Sequence, residues 1–459
     1  LLLTGTIVRL VLENYLIYGI LVELPRGLFS DADWEYIFAA VSVVYACLYA
    51  GFAIEQWAAR QAVVVSRKKY RQQRQLAAAA DQGGVLHPYD GIDRWALAMH
   101  AINLCTVLLV PSLLTYFAIF NPVLGTMTMT MTCLAFLKLW SWCATNLDLR
   151  RAYRFGDVEF TCDPVVCVSA QKASRAAADP ALSPAKYTVS YPNNIRISNM
   201  LYFLVAPTLC YQPSYPRVLG PVRKRFVVKR LAELAIIFTA LYILTYQYAF
   251  PILTGSIRAM DENNLLWIWE RILKLSVVST TFWILGFYAL FHSFLNLVAE
   301  LLRFGDRTFY LDWWNSVDLA AYWREWNLPI HYFCKRHIML PLTSPPFNLS
   351  VRVGIVMTFL ISAIMHELLI GIPTHSVKGY SFVGMLMQIP LAHLTQWLVR
   401  WRGAESGLGN MIFWVSFCIV GQPFLVVKYY YDWVKANSST IDAFPDASRD
   451  LVDFVRFKS

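Results

Sequence analysis

Apolar residues in this chain gather into long runs separated by polar and basic stretches. A run of about 20 apolar residues crosses a bilayer as a helix. Nine such runs are read: Leu1–Val22, Tyr36–Ile54, Trp95–Phe120, Val123–Ala144, Leu231–Leu253, Leu275–Leu302, Val351–Ile370, Phe382–Val399 and Met411–Lys428. The Thr–Met alternation from Thr126 to Thr132 has strand periodicity, but an open strand cannot satisfy its backbone in lipid, so a helix is expected there too. The pattern predicts an all-α polytopic membrane protein. Its expected parts are four N-terminal spans in 1–145, a polar and basic segment in 146–230, a five-span core in 231–431 and a tail in 432–459. The Ala- and Ser-rich stretch Ser169–Ser190 reads as a flexible linker.

Composition agrees. Hydrophobic residues make up 57% of the chain and the mean hydropathy is +0.44, above the roughly 45–50% apolar content of soluble domains. The net charge of +10 sits between apolar runs, which argues for topology signals and contacts to anionic headgroups or phosphates, not for nucleic acid. Residues 60–93 hold six Lys/Arg, 146–230 hold thirteen and 303–348 hold five, while the alternate loops are poor in them. By the positive-inside rule the rich loops, which follow even-numbered spans, face the cytosol. The nine cysteines show no Cys-x-x-Cys and lie mostly in apolar runs, so neither a disulfide framework nor a metal site is expected. No cleavable signal peptide is visible, and the opening inside an apolar run suggests that a polar N-terminal tail is missing.

The stretch from Arg303 to Pro341 interleaves aromatic and ionisable residues. One reading is an interfacial helix with Trp and Tyr at headgroup level; the other is a surface for a long amphipathic ligand. Span seven carries Ser362, His366 and Glu367 within an apolar helix, and ionisable residues in a span are functional candidates. Ser362 lies one turn before His366 on the same face, whereas Glu367 is about 100° round the helix. A neutral buried histidine suits a general base, with a buried structural histidine as the alternative. Gln388, two residues before Pro390, and Gln422, directly before Pro423, could line a cavity with His366 or join helices by hydrogen bonds. His292, Asn296 and Glu300 share one face of span six. His100, His375 and His393 are read as structural. A transporter with Arg9, Glu13, His292, Glu300, His366 and Glu367 as a polar relay explains the buried charges but leaves the aromatic-basic stretch unaccounted for.

Three motifs carry a family resemblance: Phe309-Tyr310-Leu311-Asp312-Trp313-Trp314-Asn315, Trp326-Asn327-Leu328-Pro329-Ile330-His331, and the His366-Glu367 pair. With them the chain resembles the membrane-bound O-acyltransferases, from about Glu13-Asn14 to Trp433, in the branch that esterifies diacylglycerol or sterols. Phe304-Gly305-Asp306-Arg307, Pro207 to Tyr211, Met385 to Leu391 and Gly421-Gln422-Pro423 look like the diacylglycerol-esterifying members. The resemblance implies a multi-pass protein of the endoplasmic reticulum membrane, with a helical bundle enclosing a reaction chamber, and a homodimer or larger homo-oligomer. It implies acyl-CoA as a substrate, no cofactor, and diacylglycerol as acceptor, with a sterol or long-chain alcohol as the alternative. It makes His366 the catalytic histidine and Asn327 its partner. It places Trp323, Arg324, Glu325, Trp326, Asn327, Leu328, Pro329, Ile330 and His331 along acyl-CoA, together with Met339 and Ser362. It puts Met385, Gln388, Gln422 and Glu367 at the acceptor or chamber. Met339 departs from the family pattern, which has tyrosine there. Lys335, Arg336 and His337 would lie where the CoA phosphates arrive. No activated nucleophile is visible, so direct transfer without an acyl-enzyme is expected.

Overall fold

The computed structural model describes residues 11–22, 31–64, 91–155, 182–183 and 191–443. Seven helices among the described residues are long and apolar enough to cross a membrane. We label the elements in chain order: α1 (Asp31–Val64), α2 (Gly91–Ala118), α3 (Pro122–Phe155), α4 (Ile197–Val205), α5 (224–261), α6 (Leu265–Leu301), α7 (Leu319–Glu325), α8 (Leu328–Cys334), α9 (Val351–Gly371), α10 (Tyr380–Arg402) and α11 (Leu408–Asn437). The seven are α1, α2, α3, α6, α9, α10 and α11, and they match seven of the nine expected spans. The expected fifth span lies within α5, which is helical throughout but is not among the seven. The expected first span is described only from residue 11, as a helix over 11–18. The basic run Arg67–Arg74, the pair Cys162 and Cys167, and most of the Ser169–Ser190 linker lie outside the described residues.

Two expected boundaries move. Helix α3 runs to Phe155, ten residues past 145, and the helix that begins as α11 continues to Ala443 through the boundary at 431. The reason in α3 is pairing that a one-dimensional pattern does not show. Arg150 donates to Glu55 (2.7 Å) and Asp93 (2.9 Å), with Arg151 also on Asp93 and His100 on Glu55 (2.9 Å). Glu55, Asp93, His100 and Arg150 are buried between α1, α2 and α3, where the carboxylates and the guanidinium are paired, while Arg151 is partly exposed. Small residues bring the three helices together, as lipid-embedded packing requires: Ala58, Ala62 and Ala96 are fully buried, and a Cβ at Gly51 would overlap Leu139.

The Arg303–Pro341 stretch is not an interfacial helix. Its centre folds back on itself: the Leu311 N–H donates to the Glu325 carbonyl (2.8 Å), and the Leu328 N–H to that of Phe309 (3.0 Å). Asp318 caps α7 through the Ala321 N–H (2.7 Å). Phe309, Trp313, Tyr322, Leu328 and Phe333 are buried. Trp313 packs edge-on against Tyr322 and against Phe413 of α11, and Tyr322 lies tilted against Phe413 at 4.1 Å. The stretch is bracketed at its start by Glu300, which accepts from Arg223 and from Arg307. It is thus a packed layer joining α6 to α9, and it sets the side chains discussed next.

Candidate active site

Helix α9 starts at Ser350, whose hydroxyl accepts from the Val353 N–H (3.4 Å). It presents Phe359, Ser362 and His366 on one face. The His366 Nδ1 lies 2.7 Å from the Ser362 carbonyl oxygen and 3.4 Å from Ser362 Oγ. A carbonyl only accepts, so Nδ1 carries the proton and Nε2 is left with its lone pair. This is the tautomer a general base needs. His366 is enclosed by protein without being fully buried.

Asn327 is the N-cap of α8: its Oδ1 accepts from the Ile330 N–H (3.1 Å), and Pro329 sits in the first turn. With Oδ1 committed, the Nδ2 group is the part of Asn327 able to donate to a substrate oxygen. The caps fix α8 beside α9, where Ile330 and Met365 pack against one cluster of Leu137, Leu209, Cys210, Phe333 and Ile338. Trp323 of α7 meets Phe359 of α9 edge-on at 5.8 Å.

Several enclosed polar atoms have no hydrogen-bond partner among the described residues: Gln388 Oε1, Gln422 Oε1, and the indole N–H groups of Trp283 and Trp323. Unpaired polar atoms in an apolar interior are costly, and a ligand carrying amide, ester or hydroxyl groups would satisfy them. Gln388 turns its other end back to the Gly384 carbonyl (3.1 Å). Met385 is buried on the same helix. Gln422 directly follows a π-helical turn, Trp414–Gly421, and a second such turn, Tyr288–Phe294, interrupts α6. Turns of this kind often mark functional sites.

Other expected positions are placed differently. Glu367 does not join the chamber group. Its carboxylate accepts from the Gly379 N–H (2.8 Å), the Phe382 N–H (3.2 Å) and the Tyr429 hydroxyl (2.9 Å), so it fastens the start of α10 to α9 and α11. Met339 is seated against Gly354, where any Cβ would strike its sulfur, and so serves packing. Leu328 is 3% exposed and belongs to the core instead of a ligand surface. Glu325 accepts from Ser316 Oγ (2.9 Å) and closes the fold of the motif layer. Trp326 stacks on Trp283 at 4.8 Å. Asp312, Trp314 and Asn315 of the first motif are exposed; Tyr310 is half-buried and its hydroxyl bonds His292 Nδ1 (2.8 Å).

His337 is withdrawn from the expected phosphate surface. It is buried, its Nε2 bonds Ser141 Oγ (2.8 Å), and Ser141 Oγ in turn accepts from the Tyr211 N–H (2.8 Å). Burial first, then Arg336, pushes its pKa down to about 3. Arg336 turns toward Thr145 and Asp148, while Lys335 and Arg324 stay exposed. His331 is half-buried, and burial followed by Lys335 and Arg324 lowers its pKa, keeping it neutral near pH 7.

Sequence reasoning missed Trp283, Phe359 and the Ser141–His337 link. Helical spacing from His366 back through Ser362 to Phe359 would have found the second. His100 has more company than its sequence suggested: Glu55, His100 and Cys143 hold ligand-type atoms within 4.8 Å of one another. There Glu55 is already paired with His100 and Arg150, which disfavours a cation.

Comparison with known proteins identifies the family. The model of the MBOAT, membrane-bound O-acyltransferase family matches residues 101–429. Diacylglycerol O-acyltransferase 1C of Glycine max is 35% identical over 426 residues, which cover 92% of this chain and 72% of that protein. Diacylglycerol O-acyltransferase 1 of Chlorocebus aethiops is 35% identical over 433 residues, 94% of this chain and 77% of that protein. The enzyme of that name from Corylus americana is 39% identical over 319 residues, 69% of this chain and 54% of that protein. A polytopic helical bundle and a family match over residues 101–429 lead to one conclusion: the chain belongs to the membrane-bound O-acyltransferase family.

Proposed function

We propose that this chain is an acyl-CoA-dependent O-acyltransferase that esterifies the free hydroxyl of diacylglycerol to give triacylglycerol. The relatives that align over most of its length carry the name of that activity. The observation that carries the mechanism is the 2.7 Å contact between His366 Nδ1 and the Ser362 carbonyl, which leaves Nε2 as the base. In the proposed reaction Nε2 takes the hydroxyl proton of the acceptor as its oxygen attacks the thioester carbonyl. Asn327 Nδ2 donates to the developing oxyanion. Collapse of the tetrahedral species breaks the carbon–sulfur bond, and the CoA thiolate recovers the proton from His366. No acyl-enzyme forms, and no cofactor enters the reading.

Gln388, Gln422, Met385 and Ser362 surround the acceptor in this proposal, and Trp323 with the surface around His331 borders the acyl-CoA. Lys335 and Arg324, both exposed, meet the CoA phosphates. The basic loops face the cytosol, the membrane is that of the endoplasmic reticulum, and the chain works as a homodimer or larger homo-oligomer. Purified protein given oleoyl-CoA with diacylglycerol, or with cholesterol, tests the acceptor by release of free CoA and by product. Faster ester formation on cholesterol would replace diacylglycerol with the sterol alternative.

A further inference from the structure

Helix α5 begins with a cluster of cations that the chemistry above does not use. Arg223 precedes it, and Lys224, Arg225, Lys229 and Arg230 occupy its first two turns, with no acidic residue in the first. This placement works against the helix. Cations at an N-terminus oppose its macrodipole, and Arg225 and Lys229 form a like-charge pair at i,i+4, which is itself destabilising. Two of the five cations are neutralised within the chain: Arg223 on Glu300 and Arg230 on Glu233. Lys224, Arg225 and Lys229 are exposed and pair with no carboxylate among the described residues.

The surface beside them is apolar. Lys224 is followed at helical spacing by Val228 and Leu231, and Arg225 and Lys229 by Ile236; those three apolar side chains are 64%, 51% and 69% exposed. Cations at the end of an exposed apolar face match the headgroup level of a lipid leaflet. A separate observation points to an anion. Arg223 and Arg230 both stack on the Phe226 ring, and Arg230, though buried, keeps its Nε without an acceptor. The cluster also abuts the motif layer, because Arg223 donates through its N–H, Nε and Nη2 to Glu300, which also holds Arg307.

We propose that Lys224, Arg225 and Lys229 bind the headgroup of an anionic phospholipid of the cytosolic leaflet, with its acyl chains lying along Val228, Leu231 and Ile236. The lipid relieves the charge conflict at the start of α5 and steadies the Arg223–Glu300–Arg307 bracket. This proposal rests on the reading that this end of α5 faces the cytosol, and it is independent of the acyl acceptor.

The test uses the full chain in nanodiscs of phosphatidylcholine, with phosphatidylserine replacing part of it in a titration. After gentle release, retained phosphatidylserine is counted by native mass spectrometry, a readout that needs no turnover. A juxtamembrane charge contributes about fivefold to binding, so neutralising three should lower the apparent affinity on the order of a hundredfold. The Lys224→Gln/Arg225→Gln/Lys229→Gln variant should therefore lose phosphatidylserine and keep wild-type turnover in pure phosphatidylcholine. Lys224→Arg with Lys229→Arg should retain the lipid. Equal retention by wild type and the triple variant would overturn the proposal. So would a triple variant that retains the lipid but shows a raised KM for acyl-CoA, which would assign these cations to the CoA phosphates. Loss of acyl transfer in the wild type alongside selective lipid retention would count against the enzymatic reading alone.

Discussion

Replacing His366 by alanine separates chemistry from folding at this site. The His366 side chain bonds the carbonyl of Ser362, one turn earlier in α9. That carbonyl still receives the backbone N–H of residue 366 in the helix, so truncation strands no buried acceptor. Alanine is also the better helix former. The structural cost is then on the order of one neutral hydrogen bond, about 1 kcal/mol. The chemical cost is far larger: loss of a general base is worth roughly 10²–10⁴ in rate, or about 3–5 kcal/mol of barrier. His366→Gln should fail as fully, because an amide cannot take up the proton. The assay is triacylglycerol formed per folded molecule, with each variant shown to elute as a monodisperse peak. His393, exposed and bonded to the Ile389 carbonyl one turn back, supplies the control: His393→Ala should keep most activity. Near wild-type turnover by monodisperse His366→Ala would refute the base assignment.

The two ends of Asn327 can be tested apart: Asn327→Asp keeps the cap on Ile330 but loses the Nδ2 donor, so it should hold its thermal midpoint and lose turnover, whereas Asn327→Ala should lose both, the cap being worth about 1 kcal/mol. Glu367→Ala strands the Gly379 and Phe382 N–H groups and the Tyr429 hydroxyl; at about 1–3 kcal/mol for each group left unpaired, its melting temperature by scanning fluorimetry should fall well below that of Glu367→Gln. His337 has a folded pKa of about 3 against 6.5 unfolded, so the unfolded state takes up the proton first; stability is full above about pH 6.5 and declines as pH falls toward 3, by at most about 1.4 kcal/mol per pH unit for this group. Melting curves should accordingly fall less steeply on acidification in His337→Asn. Cysteines placed at Lys224 and at Asn263, at opposite ends of α5, should label from opposite sides of the membrane; labelling from one side would remove α5 from the spans.

The helical bundle was legible because apolar runs of span length announce themselves, and the His366-Glu367 pair stood out in one of them. The extent of α3 was not, because Arg150 and Arg154 look like the start of a loop until Glu55 and Asp93 are seen beside them. The same limit explains Glu367 and His337. Each reads as an available ionisable group, and each is consumed by partners distant in sequence: Gly379, Phe382 and Tyr429 for one, Ser141 for the other. Tautomer assignment at His366 needed a distance that no spacing rule supplies.

The π-helical turn at Trp414–Gly421 has a further consequence for how this protein tolerates change in length. A turn of this kind carries one residue more than regular α-helix, and one residue is worth about 100° of rotation. Deleting a single residue from Trp414–Gly421 would leave α11 apolar, helical and nearly as long. It would also close the wide turn into regular α-helix, so that Gln422 keeps its face, whereas the same deletion from a regular turn of α11 would rotate everything after it by that angle. Along this segment the loss of one residue is thus absorbed by the helix itself, while loss of one from the regular turns beside it is not.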